Sequence, residues 1–229
     1  ITKGAAENPF PSIKHYIIGS KEYLNKSNKI FNLLQEAITT DQIKEGDIIL
    51  INLRMPYHFG EDWYELKVKD FRYFDDENNE IKLNSKYIHF ENWINKVKQL
   101  SDTLLIKKAK IIIMQPTPEF PLARFEKCDG QNNQWFNSLN KLNCSYPIEF
   151  LNSKEGKYIN IIRKLNKLGD DKENIYIFDS LKLFCPDSTC NFTFKGSALF
   201  RDDDHISRFA AKQLLGPKLV DFLKNSNLK

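Results

Sequence analysis

Residues 200 to 214 read "FRDDDHISRFAAKQL", three aspartates running directly into a histidine at the head of an amphipathic stretch. A histidine works as a base near neutral pH, provided an acceptor fixes its tautomer and stabilises the imidazolium as it forms. Asp202 stands three residues before His205 and can fold back to accept the Nδ1 proton, which makes Nε2 the nitrogen presented to a nucleophile. The same residues also fit a plainer role, an acidic helix start with Asp203 or Asp204 as the cap. That role explains the aspartates and leaves the histidine without a purpose. A metal site is the other use of such residues, but His15, His58 and His89 have no ligand-like spacing to His205, and none is expected; no cofactor is expected either.

Positioning such a pair requires a scaffold. "DIILINLR" (47 to 54), "AKIIIMQP" (109 to 116) and "NIYIFDS" (174 to 180) have the continuous hydrophobicity of strands buried on both faces. "KIFNLLQEAIT" (29 to 39), "YIHFENWINKVKQLSDTLL" (87 to 105) and "KYINIIRKLNKL" (157 to 168) carry helical spacing. Strands alternating with helices imply crossover connections and an α/β fold with a mainly parallel sheet, helices lying on each side. A last helix is expected after His205, kinked or broken at Gly216-Pro217. Ligands of such sheets bind beyond the carboxyl ends of the strands, which selects Asn52 and Arg54, then Gln115 to Pro118, then Asp179. Asp179 is expected to hold a loop by accepting from backbone amides.

The 229 residues suit one large domain with a sizeable core, and a single domain over 1 to 229 is the simplest expectation. Basic (34) and acidic (30) residues are interspersed, so no basic stripe points to nucleic acid. No apolar run approaches the roughly 20 residues that span a bilayer. The start at Ile1-Thr2 suggests further sequence upstream. Cys128 with Cys144, and Cys185 with Cys190, lie in polar loop segments and read as two local disulfides, implying an oxidising compartment. A four-cysteine zinc site is the competing reading. Residues 117 to 150 show no periodic element and read as a disulfide-tied insertion. Trp63, Tyr64, Phe71, Tyr73 and Phe74 suit either stacking on sugar rings or packing of a loop over the sheet.

"LFRDDDHISRFAAKQL" resembles the last block of SGNH-family hydrolases, in which an Asp-x-x-His pair completes a serine triad before the C-terminal helix. It is most similar to the extracytoplasmic SGNH domains fused to membrane acyltransferase-3 domains in polysaccharide O-acetyltransferases. "IYIFDSLKLFCPDSTC", "IIIMQPTPEFP" and "DIILINLRMPYH" resemble, in order, that family's strand with a cysteine-bearing loop, its strand ending in Pro-x-Pro, and its strand ending in an arginine. Met55 replaces the tryptophan usual there. The resemblance implies a three-layer α/β/α, flavodoxin-like domain.

The family's Gly-Asp-Ser nucleophile block does not occur in this sequence. Gly19-Ser20 in "YIIGSKEYL" is one substitute, and a nucleophile upstream, with its strand, is the favoured one, because "TKGAAENPFPS" resembles the segment that follows that block. Asn52 and Arg54 are the candidates for oxyanion stabilisation or substrate contact. The activity implied is serine-type acyl transfer, acetylating or de-esterifying a cell-surface polysaccharide, with the acetyl donor presented by a membrane acyltransferase domain. The location implied is periplasmic or extracellular, tethered to the membrane by upstream sequence. A non-catalytic glycan-binding or docking domain, and a stand-alone secreted carbohydrate esterase, are the alternatives.

Overall fold

A computed structural model describes residues 14–17, 33–34, 36–59, 71–74, 80–81, 86–119, 145–149, 151, 157–195, 197–202 and 205–226. Along the chain these form β1 (Lys14–Ile17), β2 (Ile48–Ile51), α1 (Met55–Phe59), β3 (Phe71–Phe74), β4 (Glu80–Ile81), α2 (Lys86–Ile106) and β5 (Lys110–Met114). Next come β6 (Ser145–Pro147), α3 (Lys157–Asp171), β7 (Ile175–Phe178), α4 (Leu181–Phe184), a 3-10 turn (Pro186–Ser188), β8 (Thr189–Asn191), β9 (Thr193–Phe194) and β10 (Ser197–Ala198). The last helix, α5, joins Arg208–Ala210, the π-helical turn Ala211–Leu215 and Gly216–Asn225. Chain contacts divide the molecule into two compact units, Ile1–Met114 with Asn160–Ile177, and Gln115–Ile159 with Phe178–Lys229.

The three apolar runs form the expected sheet, in the order β2-β5-β7. β2 and β5 pair in parallel from Ile48↔Lys110 to Ile51↔Ile113. β7 follows in the same sense, because Ile111 N donates to Asn174 O (2.8 Å) and Gln115 N to Phe178 O (2.9 Å), an equal advance along both chains. An α/β fold built on a parallel sheet is therefore observed. β5 lies at the centre, and Ile111, Ile112, Ile113 and Met114 are all buried, as a two-sided strand requires. β2 departs from the expectation, since Ile51 is buried while Ile48 and Leu50 are 37% and 47% exposed. It is an edge strand among the described residues, and a continuous apolar run reads the same in either position.

α2 buries Phe90, Trp93, Ile94, Val97, Leu100 and Leu104, a stripe at spacings of three and four. α3 adds Ile161, Leu165 and Leu168 to the same core, with Ile51, Ile111 and Ile113 from the sheet. Met55 and Phe59 of α1 complete it, the Phe59 ring lying 5.5 Å from that of Trp93. Each such fully buried side chain contributes about 1.5–3 kcal/mol. Buried polar groups bind the helix to the strands. Asn174 accepts from Ser101 Oγ (2.5 Å) and donates to Ser101 O (2.9 Å) and Ala109 O (3.3 Å). β1, β3 and β4 form a separate antiparallel sheet, with β3 central. This places Phe71, Tyr73 and Phe74 on a strand rather than in a loop.

The second unit is built from short strands that no periodicity announces. β6 pairs antiparallel with β8 (Ser145↔Asn191 to Pro147↔Thr189), and β9 with β10. β6 is thus an element inside the stretch read as irregular, whose residues 120 to 144 lie outside the described residues. Phe200 links the rings of Phe184 (5.3 Å) and Phe192 (6.2 Å), and Phe222 of α5 meets Phe178 at 5.3 Å.

α5 is neither broken nor simply kinked. Pro217 has no N–H, and in an α-helix its ring would collide with the carbonyl four residues earlier. The chain widens into the π-helical turn just ahead of it and continues to Asn225. The widening brings Ala211 O to within 3.0 Å of where a side chain at Gly216 would start, so glycine fits and larger residues crowd.

Candidate active site

The segment joining β10 to α5 closes on itself before the helix begins. Phe200 and Ile206 form an antiparallel bridge. Arg201 N donates to His205 O (2.8 Å), and Ser207 N to Leu199 O (2.8 Å). These two hydrogen bonds constitute the bridge and pin the two arms of the loop together. Aspartate favours such loops because its short carboxylate reaches backbone N–H groups a few residues ahead.

Inside the loop, Asp202 Oδ1 accepts two hydrogen bonds from one residue, from the backbone N of His205 at 2.7 Å and from its ring Nδ1 at 2.8 Å. An ionised carboxylate only accepts, so against it Nδ1 is the donor, which makes Nε2 the nitrogen with the available lone pair whenever the ring is neutral. The Asp202 side chain is one-third exposed and that of His205 about half exposed, at 33% and 51%. The imidazole is therefore oriented from one side while the loop remains at the surface. Asp202 Oδ2 accepts from Arg201 Nε and Nη2, both at 3.2 Å.

The helix cap is supplied by a different residue. Ser207 Oγ accepts from Ala210 N (3.0 Å) and donates to Ala198 O (2.6 Å). The plainer reading, in which Asp203 or Asp204 caps the helix, gives way to Ser207, whose extended backbone places it one residue before the first turn. The other aspartates, Asp203 and Asp204, lie outside the described residues.

Of the candidates drawn from sequence, Asp202 and His205 are in direct contact. Asn52 is exposed directly after β2, and Arg54 is half-buried at the start of α1, where its carbonyl accepts from His58 N at 3.3 Å. Both belong to the first compact unit, whereas Asp202 and His205 belong to the second. Ser20, Cys128 and Cys144 lie outside the described residues. Cys185 and Cys190 form a disulfide between α4 and β8, and both are buried. Asp179 performs its expected local task, accepting from Lys182 N at 3.0 Å, and Ser180 donates to Gln115 O.

Two residues escaped the sequence reading. Glu119, just beyond β5, is a carboxylate only 2% exposed. A glutamate closing a Pro-x-Pro-Glu run was its only signal. Arg201 was visible as the neighbour of Asp202, but nothing in a charged run marks which carboxylate an arginine will hold.

A parallel α/β sheet followed by an Asp-x-x-His loop ahead of the final helix defines a class of esterase-like and acyltransferase-like domains. The chain belongs to the SGNH domain family, in the form fused to AT3 domains, whose family model matches residues 11–217. No curated protein and no solved structure matched it. Among the described residues no helix is long and apolar enough to cross a membrane, and no group of histidine, cysteine and carboxylate side chains is arranged to hold a metal ion.

Proposed function

We propose that the chain is a serine-type acyl-transfer domain in which His205 is the general base and Asp202 orients it. The supporting observation is the pair of contacts from His205 N and Nδ1 to Asp202 Oδ1, which hold the loop and orient the ring. In this reading His205 Nε2 takes the proton of a serine hydroxyl as the oxygen attacks the acyl carbonyl carbon. The imidazolium then returns that proton to the departing group of the donor, leaving an acyl-serine. In the second half, Nε2 deprotonates a hydroxyl of the acceptor, the new ester bond forms, and the serine oxygen leaves with the proton. Asp202 stays ionised throughout and stabilises the transient positive ring.

The acceptor in this proposal is a sugar hydroxyl of a cell-surface polysaccharide, and water is its competitor. Membership of a family whose domains are fused to AT3 domains supports this choice, with the acetyl group delivered by a membrane-embedded partner domain and the SGNH domain on the outer side. The Cys185–Cys190 disulfide fits an oxidising compartment. The serine is proposed to lie outside the described residues, and Asn52 and Arg54 are kept as candidates for oxyanion or substrate contact on their place in the sequence pattern alone.

Hydrolysis of p-nitrophenyl acetate by the full natural protein tests the reading. His205→Ala should abolish the serine-dependent rate while leaving the fold intact by circular dichroism. An unchanged rate in that variant rejects the assignment. Glycan binding that survives in a protein without any esterase or transferase activity would favour a docking domain instead.

A further inference from the structure

The carboxylate of Asp202 has two oxygens, and the structure gives them different tasks. Oδ1 faces His205, and Oδ2 faces the Arg201 guanidinium through Nε and Nη2. We infer that Arg201 is a positioning residue for the acyl-transfer reaction, acting through Asp202 by locking its carboxylate plane toward the His205 ring. The inference rests on the reading of Asp202 and His205 as orienter and base.

The argument is geometric. A surface aspartate turns freely about its two side-chain bonds, and rotation about the second exchanges its oxygens. The two His205 donors hold Oδ1, one corner of the carboxylate. The Arg201 guanidinium holds Oδ2, the other corner, with two adjacent N–H groups set in one rigid plane, a paired contact that a single ammonium reproduces only in part. Arg201 is itself anchored, since its backbone N–H closes the loop on His205 O at 2.8 Å.

Stability does not account for this contact. The Arg201 side chain is 70% exposed, and exposed ion pairs contribute little to folding. What the contact can change is the orientation of a group on which catalysis depends steeply.

The test compares Arg201→Met and Arg201→Lys with the wild type and His205→Ala in the full natural protein. Arg201→Met should lower kcat for p-nitrophenyl acetate about tenfold with KM unchanged, as loss of orientation without loss of binding requires. Arg201→Lys should recover only part of the rate. Nitrogen NMR of labelled histidine should show the Nδ1–H tautomer of His205 dominant in the wild type and mixed in Arg201→Met, with thermal midpoints alike. If Arg201→Met keeps wild-type kcat and tautomer while His205→Ala is inactive, the inference is overturned and the base assignment stands. If His205→Ala matches the wild type, the underlying reading falls and the inference falls with it.

Discussion

Asp202 and His205 meet through a single oxygen, which receives both the backbone N–H and the ring Nδ1–H of the histidine. The loop backbone and the orientation of the ring are thus held by the same atom. Under the proposed roles, a change at that atom is expected to lower activity more than stability, because neither side chain is buried deeply enough to weigh heavily in folding.

Asp202→Asn preserves the shape and can still accept from the His205 backbone N–H. It offers an amide to the ring, which permits the wrong tautomer, so kcat should fall about a thousandfold. The stability loss should be no more than about 1 kcal/mol. Steady-state kinetics and urea unfolding, measured on the same preparation, separate the two effects.

Asn174 shows the opposite balance. It is buried and its side chain makes three hydrogen bonds to Ser101 and Ala109, so Asn174→Ala strands polar groups between α2 and β5. The expected cost is about 2–4 kcal/mol. It should appear as a lower urea midpoint, with kcat of the remaining folded protein near that of the wild type.

Gly216→Ala reverses a familiar sign. In an ordinary helix interior that exchange stabilises by about 1 kcal/mol. Here the new methyl would lie 3.0 Å from Ala211 O in the π-helical turn. A destabilisation of about 1 kcal/mol is expected instead, as for an overpacked site. A raised melting temperature would show that the turn relaxes to a regular helix at no cost.

The Asp41 carboxyl provides a pH signature in the first unit. Hydrogen bonds from Lys107 (2.6 Å) and then Lys44 (2.9 Å) hold its pKa down, from 3.8 to about 2. A depressed folded value means that this pair supports the fold above the unfolded pKa near 4 and that the support is lost as pH falls toward 2. Asp41 is exposed, so the effect is small and screened by salt. Carboxyl NMR should find its midpoint at about 2, moving up toward 3.8 in Lys107→Ala. A wild-type midpoint already near 3.8 contradicts the pairing.

The parallel sheet was legible because "IILI", "KIIIM" and "IYIF" are apolar runs too short for helices and bounded by polar residues. The helical stripe of α2 was equally plain, its Phe90 to Leu104 spacing matching the period of the helix. β6, β8, β9 and β10 were not, since strands of two or three residues are too short to show a period; β6 and β8 depend on each other across a long stretch of chain, and β9 and β10 on a close pairing with one another. The exposure of Ile48 and Leu50 was hidden for a similar reason, as edge or central position is a property of neighbours. At the site, the three-residue spacing pointed to the Asp202–His205 contact, whereas nothing in the acidic run marks Asp202 as the carboxylate that Arg201 holds.

Serine labelling by a fluorophosphonate measures most directly whether His205 activates a hydroxyl. With the full natural protein, peptide mass spectrometry should find one serine modified rapidly in the wild type and left unmodified in His205→Ala over the same interval. Ser20→Ala, run in parallel, should still be labelled, which places the nucleophile on another serine. Equal labelling rates in wild type and His205→Ala would contradict the proposed base.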